Sequence, residues 1–129
     1  MKRKLALLSI ATLLAAAAFA QPPASPGYDA SKERHLAGTV EAVTEVPGGN
    51  RGGGLHVTLA SGKDRWEVRL GPKDFSRGIG LEPAKGDSWE VTGSAEKTKV
   101  LIAREIRKGD KTYRLRDARG FPLWSHGRR

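Results

Sequence analysis

The sequence predicts an all-β domain, and three observations carry that reading. After residue 33 the apolar side chains recur at every second position, which is the period of a half-buried strand. Clusters of Gly, Asn, Asp and Ser interrupt the alternation at short intervals, as turns between strands require. Helical periodicity is nearly absent, with a single segment carrying both a start and a stop signal for a helix.

The elements follow in order. Leu36, Gly38, Val40 and Ala42 share one face of a first strand, and the apolar set then shifts to Val43 and Val46, as a bulge in a long curved strand produces. The run from Pro47 to Gly54 combines φ-permissive residues with nothing apolar to bury, so it is a loop. Leu55, Val57 and Leu59 face inward on a second strand. Ser61-Gly62-Lys63 turns the chain into a third, with Trp66, Val68 and Leu70 inward and Arg65, Glu67 and Arg69 outward. Proline near a first helical position and glycine at the end predict one or two helical turns within residues 71–78. Lys85-Gly86-Asp87 leads to a strand with Trp89, Val91 and Gly93 on one face. Val100 to Ile106 is apolar on both sides for its first half, and Gly109-Asp110 turns into a last strand, Lys111 to Arg116. The predicted core contains Leu36, Val40, Val57, Leu59, Trp66, Val68, Leu70, Trp89, Val91 and Ile102.

Three strands, a short helical connection, two strands and an additional C-terminal one make the order of a small OB-like Greek-key barrel. Resemblance points the same way. Leu36-Ala37-Gly38-Thr39-Val40, the stretches 68–72, 86–94 and 101–106, and Leu115-Arg116-Asp117 with Pro122-Leu123-Trp124 resemble a family of small exported bacterial OB-fold proteins. The likeness covers about residues 34–125. Members are mostly of unassigned function and some carry an automatic DNA-binding label, so the resemblance implies a fold and a compartment and transfers no catalytic residue.

The compartment is also legible at the N-terminus. Met1-Lys2-Arg3-Lys4, an apolar run from Leu5 to Ala17, and Ala18-Phe19-Ala20 before Gln21 form the pattern of a secretory signal peptide over residues 1–20. The run is too short to span a bilayer, so the mature chain is expected to begin at Gln21 without a transmembrane anchor and to be periplasmic or secreted. Residues 21–33 are Pro/Ser/Ala-rich at first and lack periodicity, which reads as a flexible linker. The OB-like domain then occupies residues 34–125 and a basic tail residues 126–129. No cysteine occurs, so the fold has no disulfide and the chain has no thiolate nucleophile.

Charge is uneven. The whole chain is +9, yet residues 21–98 hold 10 basic and 11 acidic groups, whereas residues 99–129 hold 10 basic and 3 acidic. Arg114 and Arg116 share a strand face with Thr112, while Tyr113 and Leu115 take the other, the pattern of a half-buried strand with a cationic outside. Arg107, Lys108, Lys111 and Arg119 add to it. Arg51, in the glycine loop, stands where OB-fold loops flank a ligand groove, and Trp124 beside the basic tail either stacks on a base or sugar or covers the open end of the barrel. These eight residues form the candidate polyanion-binding set, with single-stranded nucleic acid as the leading ligand. The other reading is an envelope structural or stress-related protein that binds another protein or a cell-wall polymer through a sheet edge.

Catalysis and metal binding have no comparable pattern. The glycine loop lacks the Gly-Lys-Ser/Thr ending of a phosphate-binding P-loop. Serines 61, 76, 88, 94 and 125 lie in no nucleophile-elbow motif. His35, His56 and His126 have no ligand partners at metal-binding spacing. Glu41, Glu45, Glu67 and Glu90 fall on outward strand positions, where carboxylates are solvated. A noncatalytic protein without catalytic residue, metal or cofactor is therefore expected. Arg104, in phase with Val100, Ile102 and Ile106, demands a carboxylate partner or an escape to the rim, because an unpaired buried charge is costly.

Overall fold

A computed structural model describes residues 27–47 and 53–125. The fold is all-β. Six strands, β1 (Glu33–Val46), β2 (Gly54–Ser61), β3 (Asp64–Pro72), β4 (Ser88–Lys97), β5 (Val100–Lys108) and β6 (Lys111–Arg114), are joined by one helix, α1 (Lys73–Gly78), between β3 and β4. The sheet order is β3-β2-β1-β4-β5-β6, and a parallel pairing of β3 with β5 at Glu67–Val100, Val68–Leu101 and Arg69–Ile102 closes five strands into a ring. The sixth strand extends the sheet from the C-terminal half of β5.

Closure depends on bulges that bend the strands. Glu41 is an extra residue in β1, between the Val40–Leu59 and Ala42–Thr58 pairs, at the place where the apolar phase shifts in the sequence. Pairing of β1 with β4 stops at Thr39, so beyond the bulge β1 has only β2 beside it, and Ala42 and Val43 are exposed. All ten predicted core side chains are buried. Nine of them form the core cluster with Leu55, Leu81, Leu101, Ala103, Ile106 and Leu115, while Ile102 is buried outside it, and Phe75, Ile79, Tyr113 and Trp124 pack at the cluster's margin.

Two expectations are corrected. Arg104 shares the face of Ile102 and Glu33, but Ile106 does not belong to that face. The ladder passes from Gly93–Ala103 to Thr92–Glu105, which leaves Arg104 as a bulge residue, and the inward series is Leu101, Ala103 and Ile106. The linker reading of residues 21–33 fails over its described part, 27–33. Tyr28 is 2% exposed, a short 3-10 turn follows at Ala30–Lys32, and Glu33 opens β1. Asp29 fastens the segment to β4, its N–H donating to Ser94 Oγ at 3.1 Å while that hydroxyl donates to the Asp29 carbonyl at 3.0 Å. One aromatic anchor with local polar contacts has no period, so alternation could not reveal it.

Candidate functional site

The basic C-terminal segment folds into the β5–β6 hairpin, and its register decides which cations meet. Directly opposite pairs are Glu105–Arg114, Ile106–Tyr113, Arg107–Thr112 and Lys108–Lys111. Opposed residues share a face, so Glu105, Arg107, Thr112 and Arg114 line one side and Ile106 occupies the buried other side. The neighbouring strand adds Glu90 opposite Arg107 and Thr92 opposite Glu105.

This face is charge-compensated rather than uniformly cationic. Arg114 Nε lies 3.5 Å from Glu105, Arg107 lies 3.9 Å from Glu90, and His35 Nε2 lies 3.5 Å from the same Glu90 carboxylate. Lys108 Nζ lies 3.3 Å from Asp87. Such exposed pairs contribute about 0–1 kcal/mol each, but they remove much of the field that the segment's charge count implies. The counter-ions Glu90 and Asp87 come from a stretch whose own net charge is near zero, and sequence order gives no warning that they fold against the hairpin.

Cationic character survives at the hairpin tip. Lys108 and Lys111 face each other across the ladder, an arrangement that like charges disfavour, and Asp87 neutralises only one of them. Beside the tip lies a hollow of about 510 Å³ lined by Ala37, Gly38, Thr39, Ser88, Trp89, Glu90, Arg107 and Gly109. Arg119 is exposed, with its guanidinium 5.1 Å from the centre of the Phe121 ring. Arg51 lies outside the described residues, as does His126.

Arg116 is placed otherwise than the sequence predicts, and Trp124 takes the second of its two expected places, over the barrel end. The Arg116 guanidinium sits over the Trp124 ring at 5.1 Å and over the Tyr28 ring at 5.5 Å, and its Nη1 donates to the Gly120 carbonyl at 2.8 Å. It is a structural cation between two aromatic rings, and burial presses its pKa below the ordinary guanidinium value. Trp124 covers the barrel margin. Its ring stands so close to Gly71 that a Cβ there would come within 2.6 Å, and it tilts against Phe75 with centroids 5.7 Å apart. Arg116 occupies the face that a base or sugar would need.

Arg104 has the carboxylate partner that its sequence position demands. Its Nε donates to Glu33 Oε2 at 2.6 Å and its Nη2 to Oε1 at 3.3 Å, while the Tyr28 hydroxyl donates to Oε2 at 2.5 Å. Burial alone would raise the Glu33 pKa, but the hydrogen bonds from Arg104 and Tyr28, with the Arg104 charge, hold it below the usual carboxylate range. The same bond to Glu33 is the largest influence raising the Arg104 pKa.

The remaining candidates form pairs. His56 Nδ1 lies 3.2 Å from Glu67, which also accepts from Arg69 at 2.8 Å. Among the described residues no three His, Cys, Asp or Glu side chains converge as a metal site would need. Also among the described residues, no helix is long and apolar enough to cross a membrane.

Comparison with known proteins adds a family. Residues 32–113, which run from the strap before β1 to β6, match the MamS/MamX magnetosome protein family. This chain belongs to that family. Among curated proteins, none matches this MamS/MamX family member. A solved structure similar to it is the ZRD-deleted mutant of TiaS in complex with agmatine, at 19% identity and a TM-score of 0.46. That match covers 64% of this chain, which spans only 25% of the other, and a likeness at this level carries no argument about fold or function.

Proposed function

We propose that this chain is an exported, noncatalytic binding module of the magnetosome, built on an OB-fold, that holds polyanions at the tip of its β5–β6 hairpin. The OB-fold reading draws on the strand order, the helix between β3 and β4, and the parallel closure of β3 on β5. Export draws on the leader pattern of residues 1–20 and on the resemblance to exported OB-fold proteins. The magnetosome setting draws on the family. The noncatalytic reading draws on the sheet carboxylates Glu33, Glu67, Glu90 and Glu105, each of which is committed to a neighbouring cation.

The observation that carries the ligand class is the Lys108–Lys111 pair. Two ammonium groups opposed at a hairpin tip, with Arg107 beside them and a hollow next to it, gain from an anion placed between them. Phosphate or sulfate groups along a polymer meet that need by charge alone, so binding is expected to lack sequence preference.

The logarithm of affinity for single-stranded DNA is expected to fall linearly with the logarithm of salt, with a slope near −0.7 for each phosphate neutralised. Replacing Lys108 and Lys111 together by Ser flattens that slope by about one unit or more and leaves the fold intact, because both side chains are exposed. Trp124→Ala leaves affinity per nucleotide unchanged, since the ring is already covered by Arg116. If heparin and single-stranded DNA both fail to bind at low salt, the polyanion reading falls. The reading that then leads is a partner protein adding a strand to β6, the four-residue edge of the sheet.

A further inference from the structure

Beyond its bulge, β1 carries an open strand edge. At Val40 the side turned away from β2 is still occupied, since the Val40 N–H donates to the Asp87 carbonyl at 2.9 Å and its carbonyl accepts from the Gly86 N–H at 2.8 Å. Past that point, among the described residues, Ala42–Val46 pair with nothing but β2. Backbone groups alternate in direction along a strand, and the extra residue Glu41 shifts that alternation by one. Val43 and Glu45 are therefore the residues whose N–H and C=O point to the open side. All four side chains from Ala42 to Glu45 are exposed.

Natural sheets guard such edges, often with charged side chains. Here the guarding charges are neutralised. Arg65 holds Glu41 at 2.7 Å, and Glu45 lies 3.0 Å from Lys73 and 3.7 Å from Arg77. Between these two carboxylates stands Val43, at 38% the only exposed large hydrophobic among the described residues. Compensated carboxylates neither repel an identical strand nor recruit a basic one, so charge favours a second copy of this chain over a cationic partner.

The segment is also self-complementary. Two copies laid antiparallel about a two-fold axis can join the open groups of Val43 and Glu45 in registers centred on Val43, Thr44 or Glu45. The first opposes Glu41 to Glu45 and the last opposes Glu45 to itself, and like charges directly opposite are destabilising. The register centred on Thr44 opposes Val43 to Glu45 twice, Thr44 to Thr44 and Ala42 to Val46, with no like charges opposite. Each Val43–Glu45 pair then exchanges both of its N–H···O bonds, and the two threonines meet at the closely spaced position between them.

We infer that this edge is a homodimer interface, in which β1 of one copy pairs antiparallel with β1 of a second about a two-fold axis at Thr44. The pairing joins β3-β2-β1 of each copy into one continuous sheet. A two-fold contact uses the same patch on both copies and closes on itself, so it does not propagate into a filament. Five residues a side make a small contact, and the dimer is expected to dissociate on dilution. The interface contains no residue of the hairpin tip and does not depend on the reading proposed for it.

The test is sedimentation equilibrium of the full chain across a wide range of concentration, where a monomer–dimer equilibrium is expected. Val43→Pro removes an N–H that the pairing with β2 does not use, and Val43→Lys places a like charge on each copy at the contact. Each is expected to weaken association about tenfold or more while the far-ultraviolet circular dichroism stays that of the native chain. Register is read separately. The chain has no cysteine, so Thr44→Cys places one thiol on each copy at a Cα separation of about 4.5 Å across the axis, a span that a disulfide bridges. Oxidation by diamide is expected to link that variant as a dimer and to leave Lys63→Cys, at the exposed β2–β3 turn, as monomer. A monomer at every concentration overturns the assignment, whatever other segment or partner covers the edge. So does a dimer that survives both Val43 variants, or linkage of Lys63→Cys as ready as that of Thr44→Cys.

Discussion

Replacing Trp89 by alanine is expected to destabilise the barrel by about 3–5 kcal/mol, read as the shift in an equilibrium denaturant-unfolding curve. The ring is 2% exposed on β4, directly opposite Gly38 in the ladder with β1. A cavity of that size in a small ring of strands cannot be refilled without moving the ladder that holds the side chains around it. The indole also brings a cost, because its Nε1–H is buried with no hydrogen-bond partner among the described residues. Trp89→Phe removes that donor while keeping most of the apolar surface, so its loss should stay below about 1.5 kcal/mol. A Trp89→Ala loss under about 0.5 kcal/mol is incompatible with a core position and would overturn the register of β4.

Trp89 also shows what alternation can reveal. Each buried residue that repeats at period two, from Leu36 through Val91, announces its face because the strand geometry repeats with it. Even the Glu41 bulge left a trace, as a change of phase. The bulge at Arg104 left none, since Leu101, Ile102 and Ala103 are all apolar and hide the step by which the inward series passes from Ala103 to Ile106. Charge was less legible still. The basic count of the C-terminal segment is real, but Glu33, Asp87 and Glu90, remote in sequence, reach Arg104, Lys108 and Arg107 through the pairing of strands. A surface field is a property of register, and composition by segment carries no register. For the same reason Arg116 read as an outward cation, although the contacts that turn it inward come from Tyr28 and Trp124, on either side of the barrel sequence.

Tyr28→Ala is expected to cost about 3–5 kcal/mol, although the residue lies in a stretch that reads as linker. Its ring is 2% exposed and so close to Gly120, at φ +94°, that a Cβ there would collide with it, while Arg116 stacks above it. Tyr28→Phe keeps the ring and removes only the hydroxyl that donates to Glu33. A loss near the lower end of about 1.5–3 kcal/mol follows, because the carboxylate is partly solvated and retains Arg104. Acid dependence separates the two contributions. The folded state depresses the Glu33 pKa, so its contribution to stability is fully present above the ordinary carboxylate value of about 4.3 and is lost as pH falls through the folded one. Glu33→Gln should therefore flatten the fall in stability between about pH 5 and pH 2, measured by denaturant unfolding across that range. Tyr28→Phe should flatten it only in part, because the Arg104 bonds remain. If Tyr28→Ala unfolds at the same denaturant concentration as the native chain, the segment before β1 is a linker after all, and Arg116 and Trp124 lose the partner that holds them inward.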